Sequence, residues 1–284
     1  MNSAAGIMAD GLSPRDFARL AGFIQQTTGI KMPPAKQTLL EGRLRRRLRA
    51  LGLPGFREYC DYLFGEGGLD REAIQLINAV TTNKTDFFRE SDHFQYLAAT
   101  ALPQLAGRGI GRDRPLTAWS AAASIGAEAY SMAMVMAEFA MTRPVFRFSV
   151  LATDICTEVL EAAHRAIYPE EMIRPVPAAF CKRYFLRSRD PGRKLVRVVP
   201  GLRSRVRFAR LNLIESPYDL DIAVDVLFVR NILIYFEKSV QQEVLGELCR
   251  YLSPGGYLFV GHSESVIDFD LPVCAVATSI FRRE

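Results

Sequence analysis

The sequence predicts an α/β chain with a separate helical N-terminal part, 284 residues in all. Three observations predict it. Apolar residues recur at helical spacing through roughly the first eighty residues. From about Leu116, short apolar strands alternate with amphipathic helices, the pattern of a parallel sheet covered by helices. Between Ile167 and Arg210 that alternation fails, and short charged strands around Pro200 and Gly201 read as a small antiparallel insertion.

Each element has its own signal. Ser13 followed by Pro14 is a helix start, with Phe17, Leu20, Ala21 and Ile24 as the apolar stripe. Pro33 and Pro34 break the chain. A second helix carries Leu40, Leu44, Leu48 and Leu51 and ends at Gly52 and Pro54. Phe56 to Phe64 reads as a third helix, Gly65 to Gly68 as a loop, and Arg71 to Val80 as a fourth helix. Strands are expected at Leu116–Ser120 and Phe148–Thr153, with helices from about Glu128 and over Glu158–Ala166. Lys194–Val199 and Arg205–Ala209 are the strands of the insertion. Ala223–Val229 is a continuous apolar run, the mark of a central parallel strand. A helix over Ser239–Leu252, a turn at Ser253–Gly256, a strand at Tyr257–Val260 and a closing strand within Ala275–Phe281 complete the reading.

Composition narrows the function classes. Hydrophobic residues are 49% and charged residues 24%, which excludes wholesale disorder. The five cysteines, Cys60, Cys156, Cys181, Cys249 and Cys274, are scattered, with no CxxC pair, so reduced thiols in a cytosolic protein are expected. The three histidines are equally dispersed, and no metal site is expected. Met1 to Asp10 lacks the pattern of a signal peptide. The apolar stretch from Ala118 to Met141 contains Glu128 and Glu138 and reads as a buried helix, not a membrane span.

Several motifs sit where an α/β sheet binds ligands. Trp119 to Glu128 runs from a strand through small residues and Gly126 into a helix, which lets a ligand approach the backbone. With one glycine, a plain strand–turn–helix joint is the better reading of this segment taken alone, and no phosphate-binding loop is present. Asp154 ends the next strand, where an acidic residue commonly takes ribose hydroxyls, or else caps a helix. Arg230 and Asn231 follow the central strand directly, ahead of Tyr235, and Asn212 with Leu213 precedes it. Thr81 to Glu90 is polar, then aromatic, then charged. There Thr85 or Asp86 is expected to cap a helix that buries Phe87 and Phe88 and leaves Arg89 outside. The densest charge run is Arg43, Arg45, Arg46, Arg47 and Arg49. With Leu40, Leu44 and Leu48 inward, Arg45, Arg46 and Arg49 point outward, as a solvated face or as a docking face for an acidic partner. No aromatic residue interleaves them, against a single-stranded nucleic acid.

In this order the motifs resemble the CheR family of chemotaxis receptor methyltransferases. The matching segments are residues 81–90, 119–134, 151–155, 211–213, 230–236 and 252–265. The resemblance implies a helical domain over 1–82. It implies a class I, Rossmann-like S-adenosylmethionine-dependent methyltransferase domain over 83–284, with an antiparallel β-subdomain inserted at about 167–210. It implies methyl transfer from S-adenosylmethionine to glutamate side chains on the cytoplasmic helices of chemoreceptors, leaving S-adenosylhomocysteine. The family's cofactor residues map onto Asn83, Thr85, Arg89, Glu128, Asp154, Asn212, Leu213, Arg230 and Asn231. Those assigned to methyl transfer map onto Arg89 and Tyr235. Its basic docking helix corresponds to Arg45, Arg46 and Arg49, and its β-subdomain, in some members, grips a receptor tether peptide near Ser188 to Arg205. The turn departs from the family's usual Ser-Thr-Gly-Glu-Glu-Pro-Tyr, with Ile125 and Ala127 replacing polar residues. That departure motivates a second reading, a non-catalytic cofactor-binding or scaffolding relative. A nucleic-acid methyltransferase ranks below both. A glutamate substrate is already anionic at neutral pH, so a missing catalytic base or nucleophile is expected.

Overall fold

The computed structural model describes residues 11–65, 67–190 and 192–284. The expectation for Met1 to Asp10, and Pro191 of the turn near Ser188, lie outside the described residues. The chain divides into two compact units. One comprises residues 1–82 with 235–237, the other residues 83–234 with 238–284.

The first unit is helical. Helix α1 (Pro14–Thr28) starts where Ser13 Oγ accepts the Asp16 N–H and ends at Gly29, whose φ of 74° suits a residue without Cβ. Helix α2 spans Gln37–Leu51, α3 Phe56–Phe64 and α4 Gly68–Val80. The leucine stripe of α2 is buried as its spacing predicts. Two of its arginines turn inward to staple the helices. Arg43 donates to the Val80 carbonyl and the Thr82 hydroxyl. Arg47 forks onto Glu72 at 2.7 and 2.9 Å, and Tyr59 Oη donates to the same carboxylate at 3.3 Å. Arg45, Arg46 and Arg49 are exposed. Tyr235 to Glu237 join this unit through the Lys31 N–H, which donates to the Tyr235 carbonyl at 2.8 Å, and a Lys31–Glu237 ion pair at 3.9 Å.

The second unit opens with α5 (Ser91–Tyr96), a π-helical turn at Leu97–Ala101 and α6 (Leu102–Gly107). The π turn falls just before Pro103, which has no N–H to continue the α ladder. Then follow β1 (Leu116–Ala121), α7 (Ala127–Met141), β2 (Phe148–Asp154) and α8 (Thr157–Arg165). After them come β3 (Ile167–Pro169), α9 (Ala178–Tyr184), β4 (Phe185–Arg187), β5 (Leu195–Val198), α10 (Pro200–Arg203) and β6 (Val206–Arg210). The chain closes with β7 (Val224–Val229), α11 (Lys238–Tyr251), β8 (Leu252–Val260), β9 (Val273–Ala277) and β10 (Ile280–Arg283). Seven strands form one sheet in the order β6-β2-β1-β7-β8-β10-β9. The first five run parallel, and β10 is antiparallel to both β8 and β9. Every residue of β7 is buried, which explains its unbroken apolar run. Helix α7 is buried on nearly all sides over its first ten residues, and no helix among the described residues is long and apolar enough to cross a membrane.

Three elements differ from expectation. Arg205–Ala209 does not join the insertion; as β6 it pairs parallel with β2, Val150 opposite Val206. The antiparallel sheet is β3-β5-β4. A parallel edge strand with one face covered carries alternating charge, so its sequence looks like an exposed hairpin. The turn expected at Ser253–Gly256 is drawn into β8, where Gly255 takes φ 75° and the register with β7 shifts. A bulge absorbs the turn residues without ending the strand. The single closing strand is in fact the hairpin of β9 and β10, reversed at Ser279 with φ 56°.

Glu72 is 2% exposed beside Arg47. Truncating one partner of a buried pair leaves the other charge uncompensated, at a cost of about 3–5 kcal/mol. Glu72→Ala is expected to lower the urea midpoint of the helical unit accordingly, monitored by far-UV circular dichroism.

Candidate active site

The sheet order reverses between β1 and β7, with β2 and β6 on one side and β8 on the other. Ligands of open α/β sheets bind at such a switch point, beyond the carboxyl ends of the strands. Backbone strain collects there. Among the described residues, five of the seven non-glycine residues with positive φ flank these ends: Phe88, Glu90, Ala122, Ser124 and Asn231. Left-handed backbone costs free energy and persists where function or packing over-determines it.

At the β2 side, Asp154 organises the turn after β1. One carboxylate oxygen accepts the Ser124 N–H at 2.8 Å and the other the Cys156 N–H at 2.9 Å. Burial pushes this carboxyl up from its ordinary range, against the downward pull of those N–H bonds. Ser124 Oγ donates to the Asn83 carbonyl at 2.8 Å, and the Asn83 amide lies 3.6 Å from Cys156 Sγ. The Leu211 N–H donates to the Asp154 carbonyl at 3.0 Å, which brings Asn212 and Leu213 to the same edge. Asn212 donates to Glu215 at 2.8 Å, and Leu213 is buried. Gly126 is required at φ 84°; a Cβ there would lie 2.9 Å from Ala163 Cβ.

At the β7 side, Arg230 is 6% exposed and bridges two acids. It reaches Glu90 at 2.9 Å and Glu128 at 3.1 Å, and also donates to the Arg89 carbonyl at 2.5 Å. Asn231 donates to Glu90 at 3.2 Å, and Ser120 Oγ to Glu128 at 2.7 Å. The two acids are driven apart. Burial raises the Glu90 carboxyl, but the Arg230 and Asn231 bonds more than offset it and hold it below its usual range. Glu128 is pushed up, because burial outweighs Arg230 and Ser120. Glu90, His93 and His262 also converge, yet the Glu90 oxygen nearest His93, at 3.6 Å, is the one Arg230 occupies.

The predicted residues therefore fall into groups. Asn83, Asp154, Asn212 and Leu213 gather at the end of β2. Arg89, Glu128, Arg230 and Asn231 gather at the ends of β1 and β7, with Arg89 donating to the Lys84 carbonyl at 3.3 Å. Thr85 lies between them in sequence, on the extended segment. Neither Thr85 nor Asp86 caps a helix, because residues 83–90 stay non-helical and α5 begins at Ser91. Phe87 and Phe88 are buried nonetheless, Phe87 edge-on to Tyr168 and Phe185, so the segment is pinned by ring packing. Tyr235 belongs to the helical unit, with Lys36 Nζ 5.8 Å from its ring centre. Sequence reasoning missed Glu90, Glu264 and His93. All three stand in the matched segments or just beyond, and their signal was a charged residue beside buried aromatic or strand residues.

The donor set fits S-adenosylmethionine. Asp154 accepts the backbone N–H groups of Ser124, Cys156 and Ile155, which leaves one of its about four acceptor sites for a hydroxyl. Glu90 and Glu128 are acids and Arg89 a cation beside the switch point, charge types that match a sulfonium, an ammonium group and a carboxylate. Ile125 and Ala127 are accounted for by packing: Ala127 is fully buried, and Ile125 packs on the core while its carbonyl accepts Tyr168 Oη at 2.7 Å.

The strand order and the family match of residues 83–278 define the second unit as a methyltransferase domain of the S-adenosylmethionine-binding class. Residues 83–278 match the family described as CheR methyltransferase, SAM binding domain, and residues 15–81 match CheR methyltransferase, all-alpha domain. The chain belongs to the CheR methyltransferase family. It is 39% identical to chemotaxis protein methyltransferase 2 of Pseudomonas aeruginosa, over 94% of this chain and 92% of that protein. It is 41% identical to the chemotaxis protein methyltransferases of Escherichia coli and Salmonella typhimurium, in each case over 89% of this chain and 85% of the relative.

His93 is fully buried against Phe228, Phe259 and the ring of His262. Burial first, and Arg230 second, push its imidazole down to about 4. The folded state thus refuses a proton that the unfolded chain accepts below about 6.5. Stability is complete above that value and is lost as pH falls from about 6.5 to about 4, by about 3 kcal/mol. Denaturant unfolding of His93→Leu is expected to show a flatter pH profile across that window than the parent chain.

Proposed function

We propose that the chain is a protein-glutamate O-methyltransferase that modifies the cytoplasmic helices of chemoreceptors. The observation that carries this reading is the match of residues 83–278 to the SAM-binding domain of the CheR family, with acids and arginines gathered at the switch point of its sheet. When bound, S-adenosylmethionine supplies a sulfonium methyl group that a carboxylate can attack without a general base. The chain's own residues then have to bind, align and exclude water.

In this reading Asp154 holds the ribose hydroxyls. Asn83, Thr85, Asn212 and Leu213 line the same edge. Glu128, Arg230 and Asn231 set the electrostatics around the amino-acid portion of the cofactor. Arg89 pairs with a carboxylate, favouring alignment over tight binding of the attacking oxygen, which would dull it. Tyr235 borders the transferred methyl, as the family resemblance assigns it. The exposed Arg45, Arg46 and Arg49 face of α2 supports docking on an acidic helix. The inserted sheet has β3 and β4 as its edges, which supports addition of an extended receptor peptide there.

Incubation with methyl-labelled S-adenosylmethionine and receptor-bearing membranes is expected to give label in the receptor that base releases as methanol. Cofactor binding without transfer would instead favour the non-catalytic reading. The packing of Ala127 within the core and of Ile125 against it speaks for an active enzyme, since it accounts for the altered turn.

Two variants test the roles. Asp154→Ala is expected to weaken S-adenosylhomocysteine binding by about 1–3 kcal/mol in calorimetry, the worth of a lost charge-assisted hydrogen bond. Neutralising Arg45, Arg46 and Arg49 together is expected to slow receptor methylation while leaving cofactor affinity intact. The deficit should shrink as salt rises and screens the parent's attraction.

A further inference from the structure

Glu264 lies beyond β8, outside every role assigned above. Glu264 is 8% exposed, and among the described residues no basic side chain pairs with its carboxylate. Instead it collects backbone N–H groups. Oε2 accepts from Asn231 at 2.7 Å and Gly261 at 2.8 Å. Oε1 accepts from Leu233 at 2.7 Å and Ile234 at 3.4 Å. A carboxylate has about four acceptor sites, and here all four are used. A glutamine would offer one oxygen and turn its own N–H groups onto two donors.

Three of those donors belong to the turn that leaves β7, and the first is Asn231. Its φ of 58° is a left-handed conformation that asparagine tolerates but does not favour strongly enough to hold alone. The fourth donor, Gly261, closes the nest from the other side. A Cβ there would stand 2.6 Å from Asn231 Nδ2 and 2.7 Å from Glu264 Oε2. Glycine thus lets the β8 end approach, and the carboxylate then clamps the turn. Asn231 in consequence aims its side chain at Glu90, the same acid that Arg230 grips.

We propose that Glu264 is a positioning residue for methyl transfer: it holds the turn after β7 in the strained conformation that presents Asn231 to the cofactor. It touches neither cofactor nor substrate. The inference rests on the proposed role of Asn231 as a cofactor residue.

The test uses the full chain and S-adenosylhomocysteine as probe. Glu264→Gln is expected to weaken its binding about tenfold per folded molecule, with the calorimetric stoichiometry reporting the folded fraction, and to lower kcat while the KM for receptor holds. Amide exchange should rise at 231–234 and 261 and not across the sheet. Asn231→Ala should weaken binding by a similar factor, and the double variant should lose little more than either alone. A lower melting temperature with unchanged affinity and kcat in the folded fraction would reduce Glu264 to a structural residue and overturn the proposal. If Asn231→Ala binds normally, it is the cofactor role of Asn231 that fails. Should Glu264→Gln not fold, Gly261→Ala crowds the same nest and must give the same pattern. If neither variant folds, the positioning role is lost.

Discussion

A guanidinium cannot shed its charge in a protein, so burying one obliges the fold to bring carboxylates to it. Arg230, at the end of a strand buried throughout, imposes that demand on two separate segments. The segment over residues 83–90 must deliver Glu90, the first turn of α7 must deliver Glu128, and the Arg89 carbonyl must turn inward. The left-handed backbone of Glu90 and Phe88 follows from meeting it, since an ordinary helix start at Thr85 would carry those groups elsewhere. The end of β7 is thereby locked to a segment more than a hundred residues away in sequence.

Under the proposed methyl transfer to a carboxylate, the arrangement suits a reaction with no proton to move. The partners such a site has to accept are a cation and an anion. The walls answer with one acid held firmly ionised, Glu90, and one whose charge is costly, Glu128. Asp154 is restrained by backbone N–H groups and keeps acceptor capacity outward. The site is stiffened by hydrogen bonds to main chain more than by side-chain pairs, so its shape owes little to any one exposed residue.

Much of this was legible in the sequence. The strands β1, β2 and β7 and the helices α1 to α4 announced themselves by period and punctuation, because each buries one regular face. Asp154, Arg230 and Asn231 were legible as residues just past buried strands. What stayed hidden depends on partners distant in the chain. Glu264 reads as a surface acid until four N–H groups from two loops are seen on it. Phe87 and Phe88 look like a helix face, but their burial is satisfied by rings of the inserted region, so no helix is needed there. β6 was mistaken for part of the insertion because its alternating arginines mark an edge, and edges of parallel and antiparallel sheets share that pattern.

The order in which the sheet can be assembled follows from where β10 sits. Strand β9 is synthesised before β10 but pairs only with it, and β10 in turn docks on β8. While the chain emerges from a ribosome, β8 therefore presents an unpaired hydrogen-bonding edge, and Val273–Ala277 has no template at all until residues 280–283 are free to fold back. Partly made sheets of this kind are sticky along their open edge. The five parallel strands can settle as soon as β8 is out, and the later docking of the hairpin covers β8 and moves the edge of the sheet to the short strand β9.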